Sequence, residues 1–315
     1  MKKIMIYAAL LITLTGFLGC KKKAKPLEIG TWKTQQTIQP FIYDRFLPDD
    51  QVCQVRPFTN PGDMKTALLA GSLDFCGTTL VHAIVSASRG EPVVLVASLC
   101  AKCSALVVGA DSTIQTPADL KGKRIGYVPS TMHHLLLLRV LHEAGLGESD
   151  VTLVRVDFFD MAQALSHGQI DAFLSGEPFP TLAVRSGAGR ILSYPYFDDS
   201  VGTINAGMIV HRSMLEESPE QAAQLVQAHA RVTRYLQEHP DEWIQMAADF
   251  GNAPEVLQDA AKNIELTWDM DEVFIARIKR LGQEMLDRGM IEQLPDWDRL
   301  IETRFVDAIR KEAGK

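Results

Sequence analysis

The chain writes one pattern twice. "MKTALLAGSLDF" begins at Met64 and "MAQALSHGQIDAF" begins at Met161. Met, Ala, Leu, Gly and Asp recur at a constant offset of 97, with Leu73 answered by Ile170. The echo starts further upstream, where "LEIGTW" and "KRIGYV" place Ile29 and Gly30 against Ile125 and Gly126 at an offset of 96. Such an internal repeat settles architecture before any site is argued. It predicts two copies of one unit: a strand carrying the glycine, a helix that stops at the second glycine, and a second strand. Glycine past a helix end adopts left-handed angles without strain. The motif aspartates Asp74 and Asp171 are read as structural, tying down the turn.

The rest of the chain fits that frame. "QVCQVRPF" alternates at the strand period and "TNPGD" is a turn, so a helix is expected from about Pro61 to Ala70. "TTLVHAIVSASRG" reads as a helix capped by Thr78 or Thr79, and "PVVLVASL" and "SALVVGA" are β-type runs. In the second unit "STMHHLLLLRVLHEAGL" is a helix ending at Gly145 and "VTLVRV" a strand. Strands alternating with helices define an α/β chain with mostly parallel sheets. From Pro219 onward the pattern is almost wholly helical, with Ser218 as cap, Pro219 at the first position and Glu220 in the first turn.

The first twenty residues are different in kind. Lys2 and Lys3 precede an apolar run from Ile4 to Phe17, shorter than the roughly 20 residues of a spanning helix. The run ends in "GFLGC", which reads as a lipobox. Residues 1–19 are therefore expected to be a signal peptide, Cys20 the lipidated first residue of an exported chain, and residues 20–26 a Lys-rich tether. A formal net charge of -7, with no basic stripe, gives no case for nucleic acid.

Two α/β units behind a lipobox, with "DLKGKRIGY" and "IDAFLSGEPFPTLA", resemble the solute-binding lipoproteins of ABC importers. The closest subgroup serves nitrate, taurine, alkanesulfonates and thiamine-pyrimidine precursors. The resemblance covers essentially the whole mature chain. It implies a two-lobed fold of the periplasmic-binding-protein type II, each lobe a mixed, mainly parallel sheet flanked by helices, with a helical C-terminal region. Residues 26–107 plus 208–315 would form one lobe and 108–207 the other. It implies a periplasmic, membrane-held protein that passes a small ligand to a permease and its ATPase subunit.

Ligands in open α/β sheets sit at the C-terminal strand ends. The loops there supply Gln36, Asn60, Cys76, Thr78, Thr79, Ser130, Thr131, Phe159 and Glu177 as candidate ligand contacts, with Phe58 as a further wall. Thr78, Thr79, Ser130 and Thr131 open helices, where free N–H groups favour anions or polar oxygens and where ordinary capping is the alternative. A small polar or anionic organic solute is the expected ligand.

Cysteines leave a second reading open. Beyond Cys20 stand Cys53, Cys76, Cys100 and Cys103. An even number in an exported chain reads as disulfides, or as small buried side chains. Cys76, Cys100 and Cys103, with His82 or Met132 assisting, would instead suit a thiophilic metal or organometal. His133 lies near the same loop. Cys53 sits earlier on its strand and is assigned to neither reading. Enzymes of related fold are the remaining alternative. The thiamine-pyrimidine synthases carry a CCCxC run that is missing here, and menaquinone-pathway enzymes of the same fold are cytoplasmic, which the lipobox contradicts. Without a nucleophile elbow, phosphate loop or zinc-protease helix, neither catalysis nor a cofactor is expected.

Overall fold

A computed structural model describes residues 26–314. The expected signal peptide, Cys20 and residues 20–25 of the tether lie outside the described residues.

The first unit runs β1 (Leu27–Trp32), β2 (Cys53–Phe58), α1 (Pro61–Leu69), β3 (Phe75–Thr79), α2 (Leu80–Ser88) and β4 (Val93–Lys102). The second runs β5 (Ser104–Gly109), β6 (Arg124–Tyr127), α3 (Met132–Glu143), β7 (Thr152–Arg155), α4 (Met161–Ser166), β8 (Ala172–Gly176), α5 (Phe179–Arg185) and β9 (Gly189–Ser193). The chain then returns through β10 (Ile204–His211) and α6 (Arg212–Glu217). It continues with α7 (Pro219–Glu238), α8 (Pro240–Ala248), α9 (Pro254–Ala261), β11 (Ile264–Leu266), α10 (Glu272–Asp287), α11 (Trp297–Leu300) and α12 (Arg304–Glu312).

These strands form two sheets, ordered β11-β4-β10-β3-β1-β2 and β7-β6-β8-β5-β9. The repeated unit accounts for the parallel triplets β2-β1-β3 and β7-β6-β8. Strands adjoining the passages between sheets add antiparallel neighbours, β10 against β3 and β4, and β5 against β8 and β9. Both sheets are therefore mixed. The chain changes sheet between Lys102 and Ser104 and again ahead of Ile204. The expected boundaries at 107/108 and 207/208 fall inside β5 and β10. Continuous apolar strands such as "SALVVG" carry no mark of where one sheet ends and the next begins.

The repeat has a common physical basis in both sheets. Gly71 (φ 69°) and Gly168 (φ 64°) end α1 and α4 in the left-handed region. Ser72 N donates to Ala67 O and Gln169 N to Ala164 O, while Gly71 N and Gly168 N donate to Leu68 O and Leu165 O. Each helix thus closes in a Schellman motif, which satisfies carbonyls at its end. The chain then turns into β3 or β8 through the aspartate. Asp74 Oδ2 accepts from Glu28 N at 2.8 Å, and Asp171 Oδ2 accepts from Arg124 N at 2.8 Å. In return Asp74 N and Asp171 N donate to the carbonyls of Glu28 and Arg124. The aspartates tie the motif to the first strand of each unit.

Gly30 and Gly126 are fixed by packing. A Cβ on Gly30 would fall 2.6 Å from Leu73 Cδ1 and 2.9 Å from Met64 Cγ; on Gly126 it would fall 2.7 Å from Ile170 Cδ1. The motif's apolar side chains lie directly across the strand, and only glycine leaves room.

The first sheet's core holds one polar strut. His229, on α7, sits between Tyr43 Oη (2.8 Å to Nδ1) and the carbonyls of Ser98 (2.8 Å) and Thr267 (3.2 Å), both on Nε2. Carbonyls only accept, so Nε2 carries the proton and Tyr43 donates to Nδ1. α7 begins at Pro219 as expected, although the Ser218 side chain makes no capping bond. No described helix is long and apolar enough to cross a membrane.

Candidate functional site

β1, β3, β4 and β10 of the first sheet and β8 of the second bring their ends, with adjoining loops, around one cavity. It is lined by Trp32, Thr34, Gln36, Thr37, Thr79, Cys100, Asn205 and Ala206 from the first sheet's side. His133, Phe158, Phe159, Gly176 and Phe179 line it from the second. Its free volume is about 30 Å³, room for one or two waters, so the walls are nearly in contact.

The two sides come close at Gly176. A Cβ there would fall 2.9 Å from His133 Nε2 and 3.0 Å from Gln36 Nε2. Glycine at the end of β8 thus admits one polar side chain from each side. His133 Nδ1 is engaged by Ser104 Oγ at 3.0 Å, which leaves Nε2 as the ring atom facing this gap. Burial pushes the His133 imidazole down to about 4, so the ring is neutral near pH 7. Trp32 Nε1 and Gln36 Oε1 are buried without a hydrogen-bond partner. A donor and an acceptor are therefore left open in the wall, and such buried groups are costly unless something satisfies them. Phe158 and Phe179 stack with ring centres 6.5 Å apart, and Phe159 meets Phe179 edge-on at 4.9 Å. None of the lining residues is Asp, Glu, Lys or Arg.

Of the residues expected from sequence, Gln36, Thr79 and Phe159 line this cavity, as does Cys100. The structure does not bring Asn60, Cys76, Thr78, Ser130, Thr131 or Glu177 to its wall, and reasons are visible for most. Asn60 and Thr131 spend their side chains capping α1 and α3, accepting from Gly62 N (2.8 Å) and His134 N (3.2 Å). Thr79, not Thr78, caps α2 through His82 N at 3.3 Å. Thr78 points to the opposite face of β3, as alternate strand residues must, and its hydroxyl is buried without a partner. Ser130 takes a left-handed turn (φ 57°) ahead of α3. Glu177 is buried behind the wall, accepting from Asn263 Nδ2 (3.3 Å) and Thr181 N (3.2 Å); burial raises its pKa. Phe58 ends β2 beside Trp32 without reaching the cavity.

Sheet register separates the cysteines. Ala206 of β10 lies between Thr79 and Cys100, while Cys76 lies opposite Ile209, three residues further along. Two strand spacings across and three residues along put Cys76 roughly 14 Å from Cys100, about twice the Cα separation a disulfide tolerates. Met132 packs in the core, and His82, held neutral by burial at about 4, is on α2. Among the described residues no group of three or more His, Cys, Asp or Glu is arranged to hold a metal. The five-residue soft-metal set is therefore not assembled. All four described cysteines are free thiols.

A larger, open depression of about 890 Å³ lies elsewhere, between Gly109–Ser112 and the α4–α5 pair. Every residue lining it belongs to the second sheet with its helices and loops, whereas the smaller cavity draws on both halves.

Trp32, Asn205 and Phe179 were not singled out from sequence. Trp32 closes an apolar strand and looks like core. Asn205 is the one polar side chain within "INAGMIV", a signal that the returning strand passes something polar.

Two mixed sheets joined by two chain passages, with a cavity at the strand ends between them, define the periplasmic-binding-protein class. The alkanesulfonate-binding protein of Xanthomonas axonopodis pv. citri, solved bound to MOPS, superposes with a TM-score of 0.78 at 20% identity, covering 88% of this chain and 98% of that one. Residues 52–243 match the profile of the family described as NMT1/THI5 like, and the chain belongs to that family. A putative aliphatic sulfonates-binding protein of Escherichia coli K12 is 29% identical over 153 residues, which is 48% of either chain. One of the same description from Bacillus subtilis 168 is 24% identical over 284 residues, 86% of this chain and 83% of the other. The match to the first of these relatives thus spans about half of its length.

Proposed function

We propose that the chain is the solute-capturing component of an ABC importer, closing two lobes on a small ligand and presenting it to a permease. One observation carries this reading: a cavity whose wall is shared by both sheets, close to the ends of the strands that lead into and out of the passages. Such a site is shared by both halves, so a ligand that holds the walls slightly apart and satisfies Trp32, Gln36 and His133 at once favours a form in which both lobes touch it. Relatives described as sulfonate-binding proteins support the same role. In this reading the lobes are residues 26–103 with 204–314, and 104–203. Cys20 carries the lipid that holds the exported chain at a membrane surface. Hydrolysis of ATP belongs to the partner subunit.

The ligand class follows from the wall. With no Lys or Arg in it and His133 neutral, the wall holds no cationic side chain to offset the desolvation of an anion. Four aromatic rings and open donor and acceptor positions favour an uncharged, flat molecule with a polar edge. The sulfonate specificity described for the relatives is therefore not carried over.

Purified protein incubated with cell extract, washed and acid-denatured should release one uncharged compound, chemically unaltered, by mass spectrometry. Release of a transformed compound would favour an enzyme. Displacement of the captured compound by millimolar ethanesulfonate or nitrate would sink the neutral-ligand reading.

A further inference from the structure

The segment Cys-Ala-Lys-Cys, residues 100–103, forms the first passage between sheets and has a chemistry of its own. Cys100 lies near the end of β4, Lys102 ends it, and Ser104 opens β5. Lys102 (φ 59°) and Cys103 (φ 66°) are consecutive left-handed residues. That conformation costs a non-glycine residue roughly 1 kcal/mol or more. The turn folds Cys103 back toward Cys100: its Sγ lies 3.3 Å from Asn205 Nδ2, and Asn205 shares the cavity wall with Cys100. In an extended strand, residues three apart would stand about 10 Å from one another.

The surroundings hold this turn from three directions. Asn205, on the returning strand, donates Nδ2 to Lys102 O at 3.0 Å and to Cys103 Sγ at 3.3 Å. Cys103 N donates to Asn263 O at 2.7 Å, and Glu177 N donates to Cys103 O at 2.8 Å. Cys103 is wholly buried, whereas Cys100, 3% exposed, forms part of the cavity wall. One thiol of the pair therefore faces the cleft and the other waits behind it.

We propose that Cys100 and Cys103 are a redox dithiol that closes to a disulfide within the interlobe passage, reached by oxidant through the parted cleft. The oxidant class is an organic disulfide. Cys100, as thiolate, attacks one sulfur of that disulfide, forming a mixed disulfide and expelling one thiolate. Cys103 then attacks the Cys100 sulfur, forming the internal bond and expelling the second. Two protein S–H groups are oxidised, one external disulfide is reduced to two thiols, and the two cysteine protons end on those leaving groups. Burial raises the Cys103 thiol, so exchange is slow while the cleft is shut. Once formed, the bridge pins the passage about which the lobes move and replaces a thiol in the ligand wall. Gating by the cleft rests on the two-lobe reading; bridge formation is read without any solute, so failure of either is seen separately.

Trypsin supplies a clean readout, because it cuts after Arg89 and Lys102 and leaves the two cysteines on peptides 90–102 and 103–121. The full chain is equilibrated with oxidised glutathione under native conditions, quenched with iodoacetamide and digested. The expected product is the two peptides joined until reduced, with Cys53 and Cys76 found free. Cys103→Ala should stop at a glutathione adduct on Cys100, and Cys76→Ser should bridge at the wild-type rate. Recovery of both peptides singly after full equilibration overturns the proposal. So does bridging that appears only at urea concentrations that unfold the whole chain.

Discussion

Asp74 and Asp171 show how much one side chain can do when a unit is repeated. Each carboxylate accepts a strand-opening N–H at 2.8 Å, and Asp171 also meets the Arg124 guanidinium at 2.7 Å. That ion pair holds Asp171 below the usual carboxylate range. Hydrogen bonds to a charged group contribute about 1.5–3 kcal/mol, so Asp74→Ala and Asp171→Ala should each lower stability by about that much in urea unfolding. A loss under 0.5 kcal/mol, roughly the background of a surface change, would contradict the role. These residues were legible because the sequence repeats them. The cavity residues were not, since nothing in "LEIGTW" distinguishes a tryptophan in the core from one whose N–H is left open in a wall. Likewise Asn60 and Thr131 have the composition of ligand contacts and of helix caps alike, and only geometry shows that their oxygens are already taken. Histidines give a second prediction. Buried His133 and His229 are both pushed down to about 4, from an ordinary value near 6.5. A base whose folded pKa is depressed contributes stability that is present above the unfolded value and lost as pH falls toward the folded one. Each ring makes the protein less stable by up to about 3 kcal/mol between pH ~6.5 and pH ~4. Urea midpoints should fall across that window, and His229→Gln should flatten the slope; an unchanged slope would show the ring is not neutral in the fold.

The element that defines this protein is the strand–helix–strand unit, and its glycines are where it is most sensitive. Gly30→Ala would drive a methyl into Leu73, Met64 and Cys76, and Gly126→Ala into Ile170. Overpacking of this kind costs about 1–3 kcal/mol. Both variants should lower the melting temperature, whereas Gly90→Ala, with open space but a left-handed φ of 77°, should act through backbone strain alone. Melting curves that rank Gly30→Ala as neutral would contradict the packing described. The parallel triplets could be read from alternating patterns, because a strand, a helix and a strand in sequence must run the same way. The antiparallel strands were not legible. β5 and β10 enter from the opposite sheet, and that direction is set by the passages, which the sequence marks only with the polar residues of 100–103 and with Asn205. Boundaries a few residues inside those strands follow from the same cause.

At the scale of the whole molecule, the proposed function makes the cavity of about 30 Å³ between two sheets the shut, unliganded form of a clamp. In that reading the passages at Cys103 and at residues 194–203 are where rigid-body opening would occur. Small-angle X-ray scattering should show a smaller radius of gyration on adding the captured compound, and a radius unchanged at saturation would contradict closure. The proposed function requires that one small uncharged ligand be held jointly by both lobes. Calorimetric titration of that compound into Gln36→Ala, from the first lobe, and His133→Ala, from the second, tests it most directly. Removing a hydrogen-bond partner and stranding the ligand's polar edge costs about 1–3 kcal/mol, so each variant should bind roughly 5- to 150-fold more weakly than wild type with folding intact. Wild-type affinity in either variant would mean that one lobe alone holds the ligand, and would contradict the account.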